Sequence, residues 1–196
     1  MKRIYLLAAI AVTAALSLVS QSAPAPSAPK FTSEGKLEFP ADYREWIYLS
    51  SGLGMNYSRG SNEGAPAFDN VFVHPSAYRE FMKTGHWPDF TMFILEVRHS
   101  ASAGSINKAG NFQTGISSIQ AAVKDVKRFQ DGEWGYFGFA DSRIPAGRIP
   151  HSGSCYTCHP ANGAVENTFV QFYPTLLEVA RAKGTLKPSV AATLDK

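Results

Sequence analysis

The chain has 196 residues, of which 44% are hydrophobic and 18% are charged, and its formal net charge at pH 7 is +3. Part of that charge comes from Lys2 and Arg3 at the N-terminus, so the chain lacks the basic footprint of a nucleic-acid-binding protein. The length suits one domain of ordinary size.

The N-terminus has the pattern of a secretory signal peptide. A basic segment at residues 1–3 precedes an apolar run at 4–19, and small residues follow. The run is shorter than the ~20 residues of a transmembrane span. We therefore predict a cleaved signal peptide over 1–22, a Pro/Ala-rich linker over 23–30, one domain over 31–196, and export to the periplasm.

The middle of the chain predicts strands. Aromatic and β-branched residues enrich five segments that turn residues separate, namely 46–50, 70–73, 90–97, 112–122 and 134–140. Two helices are predicted, at 75–84 and 167–183, because a glycine follows each of them. Pro174 should break or kink the second helix. The predicted fold class is α+β, mainly antiparallel β, with a few helices.

Cys155, Cys158 and His159 form a C-x-x-C-H run, which is the attachment signature of c-type haem. Two thiols at this spacing can each bond to a vinyl group of the porphyrin, and the histidine can bind the iron. A zinc site is one alternative, and its four ligands would have to be His151, Cys155, Cys158 and His159. Adjacent residues such as Cys158 and His159 rarely both reach one tetrahedral ion. A redox pair of cysteines is the other, yet the preceding residues predict a loop rather than a βαβ unit.

The sequence therefore predicts one covalently attached haem c in the domain 31–196, and the position of the motif restricts its sixth ligand. Neither Met nor His follows His159. Met55 lies in a glycine-containing stretch at 50–56 that would let the backbone approach the haem closely. A bond from Met55 to iron would suit electron transfer or peroxide chemistry, and simple packing of Met55 is the alternative.

Several separated motifs resemble the cytochrome P-460 family, which includes cytochrome c′-β. They are Tyr-Arg-Glu-Trp at 43–46, Lys-Thr-Gly-His-Trp-Pro-Asp at 83–89, Ala-Ala-Val-Lys-Asp at 121–125, and C-x-x-C-H followed by Phe-Tyr-Pro at 172–174. The resemblance implies a sheet-rich domain, usually a homodimer, with one c-type haem and a proximal histidine.

The resemblance also bears on the chemistry. Family members that oxidise hydroxylamine carry a haem-bonded lysine just before a glutamate, and a second, distal glutamate. Here Leu95 precedes Glu96, and Gln120 occupies the second position. A basic group near the distal ligand assists proton removal, so both departures argue against enzymatic activity of this kind.

An apolar distal pocket is the expected consequence. Alternation places Phe93 on the same strand face as Leu95, and Phe68 and Phe72 on the preceding strand would add aromatic cover. Distal polarity and access decide the function of a haem, and such a pocket favours nitric oxide and, in vitro, carbon monoxide. The alternatives are a redox protein with Met55 on the iron and a periplasmic redox partner, or a hydroxylamine or nitric-oxide oxidoreductase.

Overall fold

The structure is a computed structural model that describes residues 28–56, 64–140 and 144–194. Its strands are β1 (Ile47–Leu53), β2 (Phe68–Val73), β3 (Met92–Ala101), β4 (Phe112–Lys124) and β5 (Trp134–Phe139). Its α-helices are α1 (Pro75–Thr84), α2 (Cys155–Asn162), α3 (Pro174–Lys183) and α4 (Pro188–Leu194), with 3-10 turns at Tyr43–Glu45 and Val170–Phe172. The predicted signal peptide and most of the predicted linker lie outside the described residues. In the described part, no helix is long and apolar enough to cross a membrane.

The five strands form one antiparallel sheet in the order β1-β2-β3-β4-β5. Each strand pairs with its neighbour in sequence, and α1 lies in the connection between β2 and β3. Leu95 in the central strand pairs with Val71 on one side and with Gln120 on the other. This architecture confirms the predicted α+β class with an antiparallel sheet.

Both faces of the sheet are covered by apolar residues. One face packs against α1, α3 and α4 in a cluster that includes Val73, Phe81, Phe93, Trp134 and Leu176. The other face packs against the N-terminal segment in a cluster that includes Leu37, Tyr43, Ile94, Val123 and Phe137. Because side chains alternate along a strand, consecutive residues such as Phe93 and Ile94 belong to different cores.

The helix α1 has the predicted bounds, and Gly85 ends it in the left-handed region at φ 75°. The predicted second helix, 167–183, is divided. Asn167 has φ 65°, which is incompatible with a helix, and α3 begins only at Pro174. Proline suits the first helical position because its missing N–H would have no partner there. The sequence did not predict α2 or α4, both of which are short.

A buried carboxylate joins the N-terminal segment to the sheet. Glu96 is 1% exposed and accepts hydrogen bonds from Tyr43, Arg44, Arg98 and Asn70. Burial alone would raise the pKa of Glu96, but the hydrogen bonds and the two arginine charges outweigh it and hold that pKa below its ordinary value. Burial and the hydrogen bond to Glu96 raise the pKa of Tyr43 to about 12.

Candidate haem site

The motif cysteines and histidine lie together on α2 and line one cavity. Cys155 and Cys158 are three positions apart, which places them on one side of a helix. His159 follows them, and all three residues border a cavity of about 430 Å³ between α2 and the sheet. This volume lies within the ~300–1,000 Å³ typical of cofactor pockets.

The imidazole of His159 is oriented by the backbone. Its Nδ1 lies 2.8 Å from the carbonyl oxygen of Asn167. Since a carbonyl only accepts, Nδ1 carries the proton and the Nε2 lone pair is available to a metal. The rings of Tyr136 and Phe169 pack against it, with centroids 4.4 and 4.6 Å away. Burial lowers the pKa of His159 and so favours the neutral imidazole that binds metals.

The sheet supplies an apolar wall to the same cavity. Phe93 and Leu95 on β3, Val71 on β2 and Ala122 on β4 all line it. The strand register explains this set, because Val71 pairs with Leu95, and Ala122 pairs with Phe93. Phe93 is held firmly, since its ring contacts Trp87 at a centroid distance of 4.8 Å. The predicted juxtaposition of Phe93, Leu95 and Gln120 with the motif is present, because Gln120 also lines the cavity.

Phe68 and Phe72 do not line the cavity, contrary to the expectation that they cover the haem. Phe72 lies on the other face of the sheet, where its ring packs against Tyr43 at 5.6 Å. Phe68 has the same parity in β2. Alternation instead turns Val71 and Asp69 toward the cavity.

Asp69 is therefore a cavity residue that sequence reasoning missed. Its carboxyl is half-buried, and burial raises its pKa. The signal was its spacing of two residues from Val71, the β2 partner of Leu95. That signal becomes readable only once the register between β2 and β3 is known.

Met55 also borders the cavity. Its side chain folds over Gly52 so closely that a Cβ at position 52 would overlap the Met55 sulfur. Glycine at position 52 thus permits the thioether to lie at the cavity edge. Met55 remains 43% exposed.

The donor set provides a test of whether the cavity suits a prosthetic group. Cys155, Cys158 and His159 all line the cavity, and Val71, Phe93, Leu95 and Ala122 face them from the sheet. Two thiols on one helix side, a neutral imidazole and an apolar wall fit haem c.

The alternative of a zinc site receives no support from the geometry. Within residues 28–56, 64–140 and 144–194, no three ligating side chains of His, Cys, Asp or Glu come together to hold a metal ion. His151 instead lies against Asp131 and Arg148, with its Nε2 at 2.6 Å from an Asp131 oxygen.

Comparison with known families agrees with the geometry. A family model described as Cytochrome P460 matches residues 40–170, which is well over half of the chain. The match covers the whole sheet, α2 and most of the cavity lining. No curated protein matches the chain.

Proposed function

We propose, since the chain belongs to the cytochrome P460 family, that it is an exported mono-haem c-type cytochrome that binds nitric oxide and, in vitro, carbon monoxide. Cys155 and Cys158 would hold the porphyrin, and His159 would bind the iron. Haem supplies an iron atom that takes up diatomic ligands and exchanges single electrons. The protein supplies the orientation of the imidazole and the polarity of the ligand cavity.

The apolar wall of the cavity carries the proposal. Val71, Phe93, Leu95 and Ala122 offer no hydrogen-bond donor or charge from their side chains. A charged or strongly polar ligand would lose its hydration there without compensation. A small neutral diatomic molecule loses little hydration there, and the other lining groups Asp69 and Gln120 offer an anion no positive charge, so the cavity favours nitric oxide and carbon monoxide over anions.

Oxidation of hydroxylamine is disfavoured by the same residues. Leu95 stands where the resemblance places a haem-bonded lysine, and Gln120 stands where it places a proton-accepting glutamate. A neutral amide cannot serve as a general base. Mass spectrometry of the haem peptide checks this point, because a third covalent tether on any lysine would contradict it.

A second function is favoured by one observation, the position of Met55. A thioether at the cavity edge would bind iron if the 50–56 segment closed further, and the protein would then transfer electrons to a periplasmic redox partner or react with peroxide. A Met-bound iron would be low-spin in both oxidation states, whereas iron with a vacant sixth position would not.

Optical titration of the haem-loaded protein separates the two functions. We expect a high-spin ferrous spectrum that converts completely on titration with nitric oxide. Before titration, Met55→Leu should give the same spectrum as the unsubstituted protein. A low-spin ferrous spectrum that becomes high-spin only in Met55→Leu would contradict gas binding as the main function and support the second candidate.

Export and assembly are proposed on separate grounds. Residues 1–22 would direct export and be removed, which N-terminal sequencing of periplasmic protein tests directly. A mature N-terminus still carrying residues 1–22 would contradict it.

The resemblance implies a homodimer, and sedimentation of the mature protein as a monomer at micromolar concentration would contradict that.

A further inference from the structure

The carbonyl that orients His159 belongs to a tight turn. Val165 and Thr168 pair across it, with the Thr168 N–H donating to the Val165 carbonyl at 2.8 Å. The two central residues, Glu166 and Asn167, both have positive φ, at 45° and 65°. Two positive values in succession mark the type I′ class of turn, which prefers Gly, Asn or Asp. Glutamate is an unfavourable residue at such a position, so the contacts of its side chain must offset the backbone cost.

The Glu166 carboxylate is held by two partners from separate motifs. Lys124, at the end of β4, places its Nζ 2.7 Å from one oxygen, and His86 places its Nδ1 2.7 Å from the other. Lys124 is only 9% exposed and also donates to the carbonyl of Trp87 at 2.9 Å. A buried ammonium so engaged fixes the carboxylate far more firmly than a surface ion pair would.

The other half of the turn is fixed from the opposite side. The Trp87 indole N–H donates to the Thr168 hydroxyl at 2.9 Å, and this bond is buried. Gly163, just after α2, lies so close that a Cβ there would approach the Asn167 carbonyl carbon to 2.7 Å and the Thr168 nitrogen to 2.8 Å. The peptide that carries the Asn167 carbonyl therefore has little room to move.

We propose that Lys124 and Glu166 are positioning residues of the haem site. Through the turn, they hold the Asn167 carbonyl against Nδ1 of His159 and so set the strength of that hydrogen bond. The segments 83–89 and 121–125, to which the proposed function assigns no role, thus share one task. The inference rests on the proposed role of His159 as the iron ligand.

The expected consequence follows from the chemistry of the imidazole. An acceptor at Nδ1 makes the ring a stronger electron donor at Nε2. If the turn loosens, the hydrogen bond weakens and the bond from His159 to iron weakens with it. The ferric state is then stabilised less, so the reduction potential rises.

The test compares variants of the haem-loaded protein. Lys124→Met and Glu166→Gln remove one charge each from the pair, and Lys124→Arg retains the charge. Glu133→Gln is the matched control, because Glu133 lies 3.9 Å from the same Lys124 ammonium, while no hydrogen bond or ion pair joins it to residues 165–168 in the described part of the chain. The readouts are the iron–histidine stretching frequency of the ferrous protein by resonance Raman, the midpoint potential, and unfolding by urea.

We expect Lys124→Met and Glu166→Gln to lower the iron–histidine stretching frequency and to raise the midpoint potential. Both values should lie closer to those of the unsubstituted protein in Lys124→Arg and should be unchanged in Glu133→Gln. A loss of stability with an unchanged frequency and potential would show a purely structural role and overturn the inference. If either variant fails to fold, Trp87→Phe tests the other side of the turn with the same expected shifts. A five-coordinate high-spin ferrous spectrum without an iron–histidine band in the unsubstituted protein would instead refute His159 as the ligand, and with it the proposed function.

Discussion

Replacement of Glu96 by glutamine should destabilise the fold while leaving the cavity unchanged. Arg98 is 20% exposed and would lose the charge of its carboxylate partner, whereas Arg44 is 50% exposed and can turn to water. Removing one partner of a buried ion pair costs about 3–5 kcal/mol. We take the lower end, about 3 kcal/mol, because Arg44 is half-exposed and glutamine still accepts from Tyr43.

Unfolding in urea measures this cost. With a slope of about 2 kcal/mol per M, a loss of about 3 kcal/mol lowers the urea midpoint by about 1.5 M. Because the pKa of Glu96 is lowered on folding, its contribution is present above the ordinary value of 4.5 and is lost as the pH falls through the folded-state pKa. The difference between the two proteins should therefore narrow below pH 4.5.

The exposed Glu45 provides the control, since Glu45→Gln should change the free energy of unfolding by no more than about 0.5 kcal/mol, or about 0.25 M in the urea midpoint. Nitric-oxide binding by Glu96→Gln should be unchanged, because Glu96 lies on the face of β3 opposite to Leu95. A midpoint equal to that of Glu45→Gln at pH 7 would refute the assignment of Glu96 as a stabilising buried carboxylate. Altered ligand binding in a folded Glu96→Gln protein would refute the separation of the two faces.

Three further substitutions test the cavity and the turn. Asp69→Asn should raise the stability of the protein at neutral pH but not below pH 3.8, because burial raises the pKa of Asp69 and its charged form opposes folding. A lower thermal midpoint at pH 7 would contradict this prediction. Gly163→Ala should lower the free energy of unfolding by about 1–3 kcal/mol, because the new Cβ overpacks against the Asn167 peptide. Gly115→Ala is the control and should cost far less, because its Cβ would meet nothing within 4 Å. Equal urea midpoints for the two variants would contradict the close approach at Gly163. Phe93→Ala should lower the free energy of unfolding, measured in urea, by about 3–5 kcal/mol. It should also speed the entry of nitric oxide into the cavity, measured by stopped flow, and an unchanged entry rate would show that Phe93 does not restrict access.

Sequence patterns predicted much of the fold because the signals are local. Aromatic and β-branched residues between turn residues predicted all five strands, and Pro75 with Gly85 predicted the bounds of α1. The motif helix α2 was not predicted, since its eight residues have no apolar face that recurs at helical spacing.

Alternation along a single strand predicted part of the cavity wall. Phe93 and Leu95 share a face of β3 by simple alternation, and the structure places both in the cavity. The choice between Phe72 and Val71 on β2 required the register with β3, which no single-strand pattern contains. Asp69 was missed for that reason, and Phe68 and Phe72 were placed on the wrong face.

The turn at 165–168 was not predicted for a different reason. Its shape depends on two successive positive φ values, at Glu166 and Asn167, and the Glu166 side chain is held by residues distant in the sequence. Lys124 and Trp87 reach it from positions 42 and 81 residues away in the sequence. Contacts of that range leave no periodic trace, so only the folded structure brings them together.

The coordination state of the unliganded ferrous iron tests the central claim most directly. Resonance Raman spectra of the haem-loaded protein at neutral pH report both the spin state and the iron–histidine bond. The account predicts a five-coordinate high-spin iron with an iron–histidine band, because His159 binds from α2 and Val71, Phe93, Leu95 and Ala122 on the sheet offer no ligand atom in their side chains. A six-coordinate low-spin spectrum without that band would contradict it.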